Sequence, residues 1–325
     1  MTTDPTPPPA PHPNPTAPPA PEASTPPAAP AAHALSWTTL GTAAGPTPRA
    51  ARSQPANLLH RPGHALLVDA GEGAVDRLAG AGVALADVRV IVLSHLHIDH
   101  TGGLFALLGR RLQPRTGGPL AVYGPPGTAE LVDRLKAALG HLADLGRASV
   151  PPGLTQGPDP LASVTATEVT EGSTFSVVGV RVTAAVNTHY DFPPGSDHSA
   201  RFQSLSYRFD TPDRSIAYTG DTGPSERVEQ LASGADLLVS EVNDASRVPP
   251  ALHAAGPAAA AFMKRHFERE HLTPDAVGLL ARRAGVRALV LTHIGVADPA
   301  IPDARRAIAA HFKGPVHFAR DLDTF

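Results

Sequence analysis

One stretch of the chain, SHLHIDHTGG, concentrates three histidines and an aspartate in six consecutive positions: His95, His97, Asp99 and His100. It directly follows VRVIVL, a β-branched apolar run that predicts a buried strand over residues 88–93. Residues two apart on an extended chain project to the same side, so His95 and His97 can bind one cation together. The chain must turn after them, and the turn directs Asp99 and His100 toward a second position. We therefore expect a strand end that supplies ligands to two adjacent metal ions.

The composition restricts which ligands are available. The 325 residues include no cysteine, so disulfides and thiolate sites are excluded and nitrogen and oxygen must hold any metal. Imidazole and carboxylate ligands suit zinc, manganese or iron. The formal charge is −3 and no block rich in lysine and arginine occurs, so nothing in the sequence demands nucleic acid or an anionic membrane as partner.

Two metal sites need more ligands than one loop supplies, and three further candidates follow strand-like apolar runs. His189 follows VRVTAAV, Asp221 follows SIAY, and His293 follows VRALVL. An aspartate after glycine is ordinarily a turn residue or a helix cap. All three residues nevertheless stand just after the end of a predicted strand. The two carboxylate oxygens of Asp221 can each bind one cation. We expect the three residues to complete both sites.

Short apolar runs alternate with helix-like segments after residue 34. Strands are predicted at residues 35–40, 64–68, 88–93, 120–123, 174–186, 204–209, 215–218, 236–242 and 288–291. Helices are predicted at residues 74–81, 102–110, 128–145, 257–268, 274–284 and 302–311. Thr273, Pro274 and Gly285 are residue types preferred at the ends of a helix over 274–284. Two β-rich halves with helices outside predict an α+β fold, a four-layer αββα sandwich.

The first 34 residues, rich in proline and alanine, cannot bury enough apolar surface to offset the entropy lost on ordering. We expect a disordered Pro/Ala-rich tail at residues 1–34 and one folded domain at residues 35–325. The tail lacks the basic and apolar regions of a secretory signal, and no run reaches membrane-spanning length. A cytoplasmic protein with no membrane partner is therefore expected.

The motifs taken together resemble a known family. The segments LLVDAGEG, LSHLHIDHTGGLFALL, NTHY, SIAYTGDTG, LLVSEV and HLTPDAVGLL are similar to those of metallo-β-lactamase superfamily hydrolases. Within that superfamily they resemble the ribonuclease Z branch, with its phosphodiesterase and arylsulfatase relatives. The similarity spans most of the chain beyond the tail, so it implies the metallo-β-lactamase fold for residues 35–325.

The resemblance implies a role for each ligand and two divalent metal ions, zinc first, with manganese or iron as alternatives. His95, His97 and His189 would hold one metal ion. Asp99, His100 and His293 would hold the other, and Asp221 would bridge the two ions. Asp99 would also act as general base or orient the nucleophile. His271 matches the histidine that this branch places near the leaving group. Two cations a few ångströms apart would produce hydroxide from water near neutral pH.

The resemblance is incomplete at one place. Members that process tRNA carry a long basic arm between the third histidine ligand and the bridging aspartate, and the interval between His189 and Asp221 leaves no room for one. We therefore expect a phosphodiesterase without that arm, acting on a small ester or phosphodiester or on an RNA end. The oligomeric state stays open, although relatives of this kind are often homodimers.

Other functions stay open at this point. The same fold also serves arylsulfatases, carboxylesterases and lactonases, and metal-bound hydroxide would serve each of them. A mono-iron redox enzyme would need only one full ligand set, and a non-catalytic binding module would need none. The residues that would line the substrate pocket are less clearly indicated, with these as candidates: Tyr190, Asp191, Phe192 and His198.

Overall fold

The computed structural model describes residues 35–61, 63–112, 118–149, 151, 159–190, 192–193, 195–244 and 256–325. The tail predicted at residues 1–34 and the candidate pocket residue Asp191 lie outside the described residues. None of the described helices combines the length and the apolarity needed to cross a membrane.

Six strands form the first sheet and neighbour one another in chain order. They are β1 (Ser36–Gly41), β2 (Ala56–Arg61), β3 (His64–Ala70), β4 (Val88–Val92), β5 (Leu120–Gly124) and β6 (Val164–Glu168). Strands β1, β2 and β3 pair antiparallel, whereas β3 to β6 pair parallel.

Seven strands form the second sheet, also in chain order from β7 to β13. They are β7 (Thr174–Val177), β8 (Val180–Val186), β9 (Leu205–Asp210), β10 (Ser215–Tyr218), β11 (Leu237–Val242), β12 (Ala288–Ile294) and β13 (Val316–Phe318). Strands β7 to β10 form an antiparallel meander, and β10 to β13 run parallel.

Helices connect the strands in both halves. They are α1 (Ala74–Gly80), α2 (Ile98–Thr101), α3 (Leu104–Leu112), α4 (Thr128–Ala148), α5 (Asp197–Arg201), α6 (Glu226–Leu231), α7 (Pro257–Glu270), α8 (Pro274–Ala284) and α9 (Ile301–His311). Two short 3₁₀ helices cover Leu85–Asp87 and Asp298–Ala300.

Alternation along the strands sends apolar side chains into separate layers. In β3, Leu66 and Val68 pack in a cluster that contains residues of both sheets, including Trp37 of β1 and Phe209 of β9. Leu67, between Leu66 and Val68, belongs instead to a second cluster. Because successive strand residues point to opposite faces, a strand buried on both sides reads as a continuous apolar run.

Two outer clusters bind the helices to the sheets. The second cluster joins the first sheet to α1, α3 and α4, for example through Leu78 and Leu139. A third cluster joins the second sheet to α6, α8 and α9, for example through Val228 and Ile308. The predicted α+β fold, a four-layer αββα sandwich, is confirmed.

The predicted helix ends of α8 are also confirmed. Thr273 is the N-cap, and its hydroxyl accepts the backbone N–H of Ala276 at 3.3 Å. Pro274 occupies the first turn, where its missing N–H needs no partner. Gly285 ends the helix at φ +63°, a conformation that costs glycine little.

Three local predictions were wrong in detail. The single strand predicted at residues 174–186 is a hairpin, because the chain turns at Val178 and Gly179 with positive φ at both. The turn expected at Asp99 and His100 is the short helix α2. The strand predicted at residues 288–291 continues to Ile294, because the edge of β11 still offers it partners.

Candidate metal centre

The predicted metal ligands converge at one end of the sandwich. Among the described residues, three groups of side chains have ligand atoms within 4.8 Å of one another, and two of these groups contain all seven predicted ligands. One group is His95, His97 and His189; the other is Asp99, His100, Asp221 and His293. Strands β4, β8, β10 and β12 deliver them, because each ends or bulges at this edge.

The first group consists of three imidazoles. His97 Nδ1 lies 3.1 Å from Nε2 of both His95 and His189. Burial holds the pKa of His95 well below its usual value, lowers the pKa of His97, and lowers the pKa of His189 to about 3. Neutral imidazoles with their nitrogens this close provide the lone pairs that a cation requires.

The second group is arranged around Asp221. Its Oδ1 lies 3.4 Å from His100 Nε2, and its Oδ2 lies 3.1 Å from His293 Nε2. Asp99 Oδ2 lies 3.5 Å from the same two imidazole nitrogens. Two carboxylates and two imidazoles thus face one small volume, and α2 and β12 hold them from opposite sides.

Asp221 also links the two groups. With His189 and His271 it forms a third set whose ligand atoms lie within 4.8 Å of one another. Burial opposes its ionisation, but His293 and His100 hold the pKa of the Asp221 carboxyl well below its usual value. An ionised carboxylate between two groups of ligands can face a cation on each side.

Several ligand atoms of the second group are buried without partners. Within the described part of the chain, His100 Nε2, His293 Nε2 and Asp221 Oδ1 are shielded from solvent and make no hydrogen bond of acceptable geometry. Buried polar atoms ordinarily have partners, because leaving one unpaired costs about 1–3 kcal/mol. These orphaned atoms are the ones that a metal ion would bind.

The charges of the second group also indicate a site for a cation. Burial favours neutral His100, yet Asp221 and Asp69 hold the pKa of His100 well above its usual value. A site that retains a proton against burial has excess negative charge, and a divalent cation can replace that proton. The residues present therefore fit divalent metal ions.

A buried carboxylate orients His100 from the side opposite the centre. Asp69 Oδ2 lies 2.9 Å from His100 Nδ1 and accepts the hydroxyl hydrogens of Ser94 and Tyr218, each at 2.8 Å. Its Oδ1 accepts the backbone N–H of Ser94 at 2.7 Å. An acceptor at Nδ1 keeps the proton on that nitrogen, so Nε2 is left to bind metal.

Other contacts orient the first group. His95 Nδ1 lies 3.1 Å from the Ser94 hydroxyl, and His189 Nδ1 lies 3.2 Å from the carbonyl oxygen of Glu270. The amide oxygen of Asn187 accepts the backbone N–H of His189 at 3.1 Å. The Nδ1 atoms of His95 and His189 thus each have a neighbour that fixes the plane of the ring.

His271, which is partly buried, pairs with the fully buried Glu241 beside the centre. His271 Nδ1 lies 2.8 Å from Glu241 Oε2, and Glu241 Oε1 accepts the backbone N–H of Thr222 at 2.6 Å. Burial opposes protonation of the imidazole, but Glu241 raises the pKa of His271 to about 9. With Nδ1 engaged, the proton on Nε2 of His271 is available for donation.

Two positions of the site place unusual demands on the backbone, one through its φ angle and one through a close approach to a side chain. His293 lies at a bulge where β11 pairs with Thr292 and Ile294, and its φ is +43°. Such a conformation costs a non-glycine residue about 1–3 kcal/mol and is concentrated at functional sites. A Cβ atom on Gly45 would lie 2.1 Å from Asp99 Oδ2, so only glycine allows the backbone to approach that carboxylate.

All eight predicted site residues therefore lie at this centre. His271 is among them, although an isolated histidine is weak evidence in a sequence for a site residue. Sequence reasoning assigned no role to Glu241, Asp69 or Tyr218. A charged residue inside the apolar run LLVSEV was the available signal for Glu241, because a buried carboxylate needs partners. The partner identities depend on contacts between distant segments.

Comparison with known proteins identifies the relatives. The sequence pattern of the family described as "Beta-lactamase superfamily domain" matches residues 64–294. A protein named ribonuclease Z from Mycobacterium sp. (strain KMS) is 34% identical over 292 residues, covering 88% of this chain and 93% of that relative.

Two solved structures share the fold. The metallo-beta-lactamase fold protein YhfI from Bacillus subtilis has a TM-score of 0.66 at 19% identity, covering 90% of this chain and 98% of that one. The short form of human tRNase Z has a TM-score of 0.59 at 24% identity, covering 89% and 98%. The chain belongs to the metallo-β-lactamase superfamily, in the branch that contains ribonuclease Z.

Proposed function

We propose that this protein is a metal-dependent hydrolase of phosphodiester bonds that uses two divalent ions. The observation that carries the proposal is the convergence of seven histidine and aspartate side chains, which leaves ligand atoms of His100, His293 and Asp221 buried without partners. Supporting it, the mycobacterial relative is named ribonuclease Z, an enzyme name for phosphodiester cleavage.

In this proposal each ligand has the role expected from the sequence. His95, His97 and His189 hold one ion, and the second ligand set holds the other: Asp99, His100 and His293, with Asp221 as the bridge. Ions bound there would lower the pKa of a water molecule and neutralise the charge that develops on the phosphoryl oxygens.

The protein's own groups orient the water and move the protons. The Asp99 carboxylate accepts a hydrogen of the attacking water and so directs the oxygen at phosphorus. On the other side, His271 Nε2 donates its proton to the leaving oxygen, while Glu241 stabilises the imidazolium through Nδ1. General acid–base help of this kind is worth about 10²- to 10⁴-fold in rate.

The substrate we propose is small or single-stranded. Between His189 and Asp221 the described residues form only helix α5, strands β9 and β10 and their connections. That interval holds the basic arm in members that process tRNA, and such an arm grips the phosphate backbone by charge. A nucleotide ester or an RNA end is therefore a better fit than a folded tRNA.

We propose zinc as the metal, because the ligand set is rich in imidazole and lacks sulfur. Manganese and iron remain the alternatives, and elemental analysis of the purified protein distinguishes them. The cytoplasmic location stays a prediction that cell fractionation can check, and sedimentation velocity decides between a monomer and the homodimer that such relatives often form.

The first test is hydrolysis of bis(p-nitrophenyl) phosphate by protein loaded with zinc or manganese. We expect turnover that falls at least about 100-fold in Asp99→Ala, because the carboxylate serves both metal and water. Asp133→Ala changes an exposed aspartate of α4 and should leave turnover unchanged. A metal-loaded wild-type protein without turnover would sink the proposal and direct attention to sulfate esters, carboxylic esters and lactones.

A further inference from the structure

Four aromatic side chains form a continuous wall beside the metal centre: Tyr190, Phe192, His198 and Phe202, here called the aromatic wall. Tyr190 and Phe192 have ring centroids 5.8 Å apart. Phe192 lies 5.5 Å from the His198 ring and 6.1 Å from the Phe202 ring. His198 and Phe202 lie 6.3 Å apart and nearly parallel, with 23° between their planes. Each distance lies in the range in which aromatic rings attract one another.

The wall begins at the ligands themselves. The ring of Tyr190 lies 5.2 Å from His97 and 5.1 Å from His189, so one end of the wall contacts the first metal group. Helix α5 carries His198 and ends next to Phe202. Ring contacts run from the ligands through Tyr190 to Phe192, a path short enough for a group attached to a phosphate at the centre to reach Phe192.

The outer part of the wall is open to solvent. Phe192 is 36% exposed and Phe202 is 40% exposed. Rings that served only to pack the loop against the core would be buried like Tyr207 and Tyr218. An exposed set of rings that lines the approach to a reaction centre instead offers faces for stacking.

The charge next to the wall suits a nucleotide. The Arg201 guanidinium lies 5.1 Å from the centroid of the Phe202 ring. Arginine on an aromatic face provides both a cation for phosphate and a plane for stacking. Every nucleobase has a π-face, and a nucleotide places such a base a short distance from its phosphate.

We propose that the aromatic wall is a nucleobase subsite, which stacks the base adjoining the scissile phosphodiester. Phe192 and Phe202 supply the faces for stacking, and Arg201 balances the charge of the neighbouring phosphate. The inference rests on the proposed phosphodiesterase function and narrows its substrate to nucleotide esters. The base can belong to a mononucleotide ester or to an RNA end.

The test compares two esters that share one leaving group. Thymidine 5′-(p-nitrophenyl phosphate) carries a base on the side that is retained, and methyl p-nitrophenyl phosphate carries a methyl group there. The variant is the double substitution Phe192→Leu and Phe202→Leu, which keeps apolar volume and removes the π-faces. Phe105→Leu changes a phenylalanine of α3 with 45% exposure and serves as the matched control.

We expect kcat/KM for the thymidine ester to fall about tenfold in the double variant, mainly through KM, because stacking of a base is lost. The methyl ester should change less than about twofold, and the control should match wild type with both esters. An equal fall for both esters would show that the rings only support the site, and no fall for the thymidine ester would show that no base stacks there. Either result overturns the proposal, provided that melting temperatures confirm folding.

Two further arms complete the design. Cleavage of a short single-stranded RNA with the same loss in the double variant assigns the wall to RNA ends, whereas cleavage of the thymidine ester alone assigns it to mononucleotide esters. Calorimetric binding of thymidine 5′-monophosphate against methyl phosphate tests the wall without turnover. If neither ester is hydrolysed, the phosphodiesterase function fails, and equal affinity for these two ligands would then overturn the subsite separately.

Discussion

Replacing Asp69 with asparagine would test how the second group of ligands is held. Asp69 is fully buried, and its φ of +58° is one that asparagine tolerates. The substitution therefore keeps the backbone and the side-chain volume. It changes the charge and one acceptor oxygen, while the surrounding donors remain in place: the Ser94 N–H and hydroxyl, the Tyr218 hydroxyl and His100 Nδ1.

The cost follows from the positions of those donors. If the amide oxygen replaces Oδ2, the amide NH₂ meets the backbone N–H of Ser94 and leaves it unpaired, at about 1–3 kcal/mol. If the amide nitrogen replaces Oδ2, His100 Nδ1 must accept and its proton moves to Nε2, the atom that faces the metal. We expect the free energy of unfolding to fall by about 1–3 kcal/mol and metal affinity at this group to fall about 10- to 100-fold.

Elemental analysis after equilibration with graded chelator measures the affinity, and denaturant unfolding measures the stability. We expect Asp69→Asn to lose one metal before the other, since Asp69 contacts His100 directly and reaches the group of His95 only through the Ser94 hydroxyl. Tyr218→Phe removes only one donor and should cost about 1 kcal/mol with little effect on metal. Wild-type retention of both metals in Asp69→Asn would refute the orienting role of this carboxylate.

Three other predictions concern the same site and its scaffold. Glu241 raises the pKa of His271 to about 9, so His271 is protonated below that pH and activity should fall as pH rises through about 9. In Glu241→Gln this fall should begin at lower pH. An unchanged pH–rate profile in the variant would contradict the pairing of His271 with Glu241. Chelator should lower the melting temperature and zinc should restore it, because ligands that bind only the folded state stabilise it; an unshifted melting curve would argue against metal in the folded protein. Thr273→Ala should reduce the free energy of unfolding by about 1 kcal/mol in denaturant titrations, because α8 loses its N-cap. Thr170→Ala, which changes a threonine outside any helix, is the control for this loss.

The convergence of the proposed ligands could be predicted because they stand in local motifs. His95, His97, Asp99 and His100 lie within one short segment, and the chain's own geometry brings them near one another. His189, Asp221 and His293 could be added because each follows an apolar run, and such runs end at the same edge of a sandwich. The residues that contact these seven side chains could not be predicted in the same way.

The caps of α8 and most of the strands could also be predicted, whereas β2, β6 and β13 were not. Thr273 and Gly285 act through neighbours within a few residues, so their effect needs no tertiary context. The hairpin at Val178 was missed because the apolar pattern continues across the turn, and positive φ at a valine is not expected from its type.

The sequence by itself determined the layer order, the chemistry of the ligands and the absence of sulfur from the site, because residue type and short spacing decide these. Only the tertiary structure decided which carboxylate orients which imidazole. Asp69 reaches His100 from β3, Glu241 reaches His271 from β11, and the aromatic wall assembles from a loop and a short helix. Such pairings depend on how the two sheets and their loops pack, and packing joins residues whose separation along the chain carries no signal.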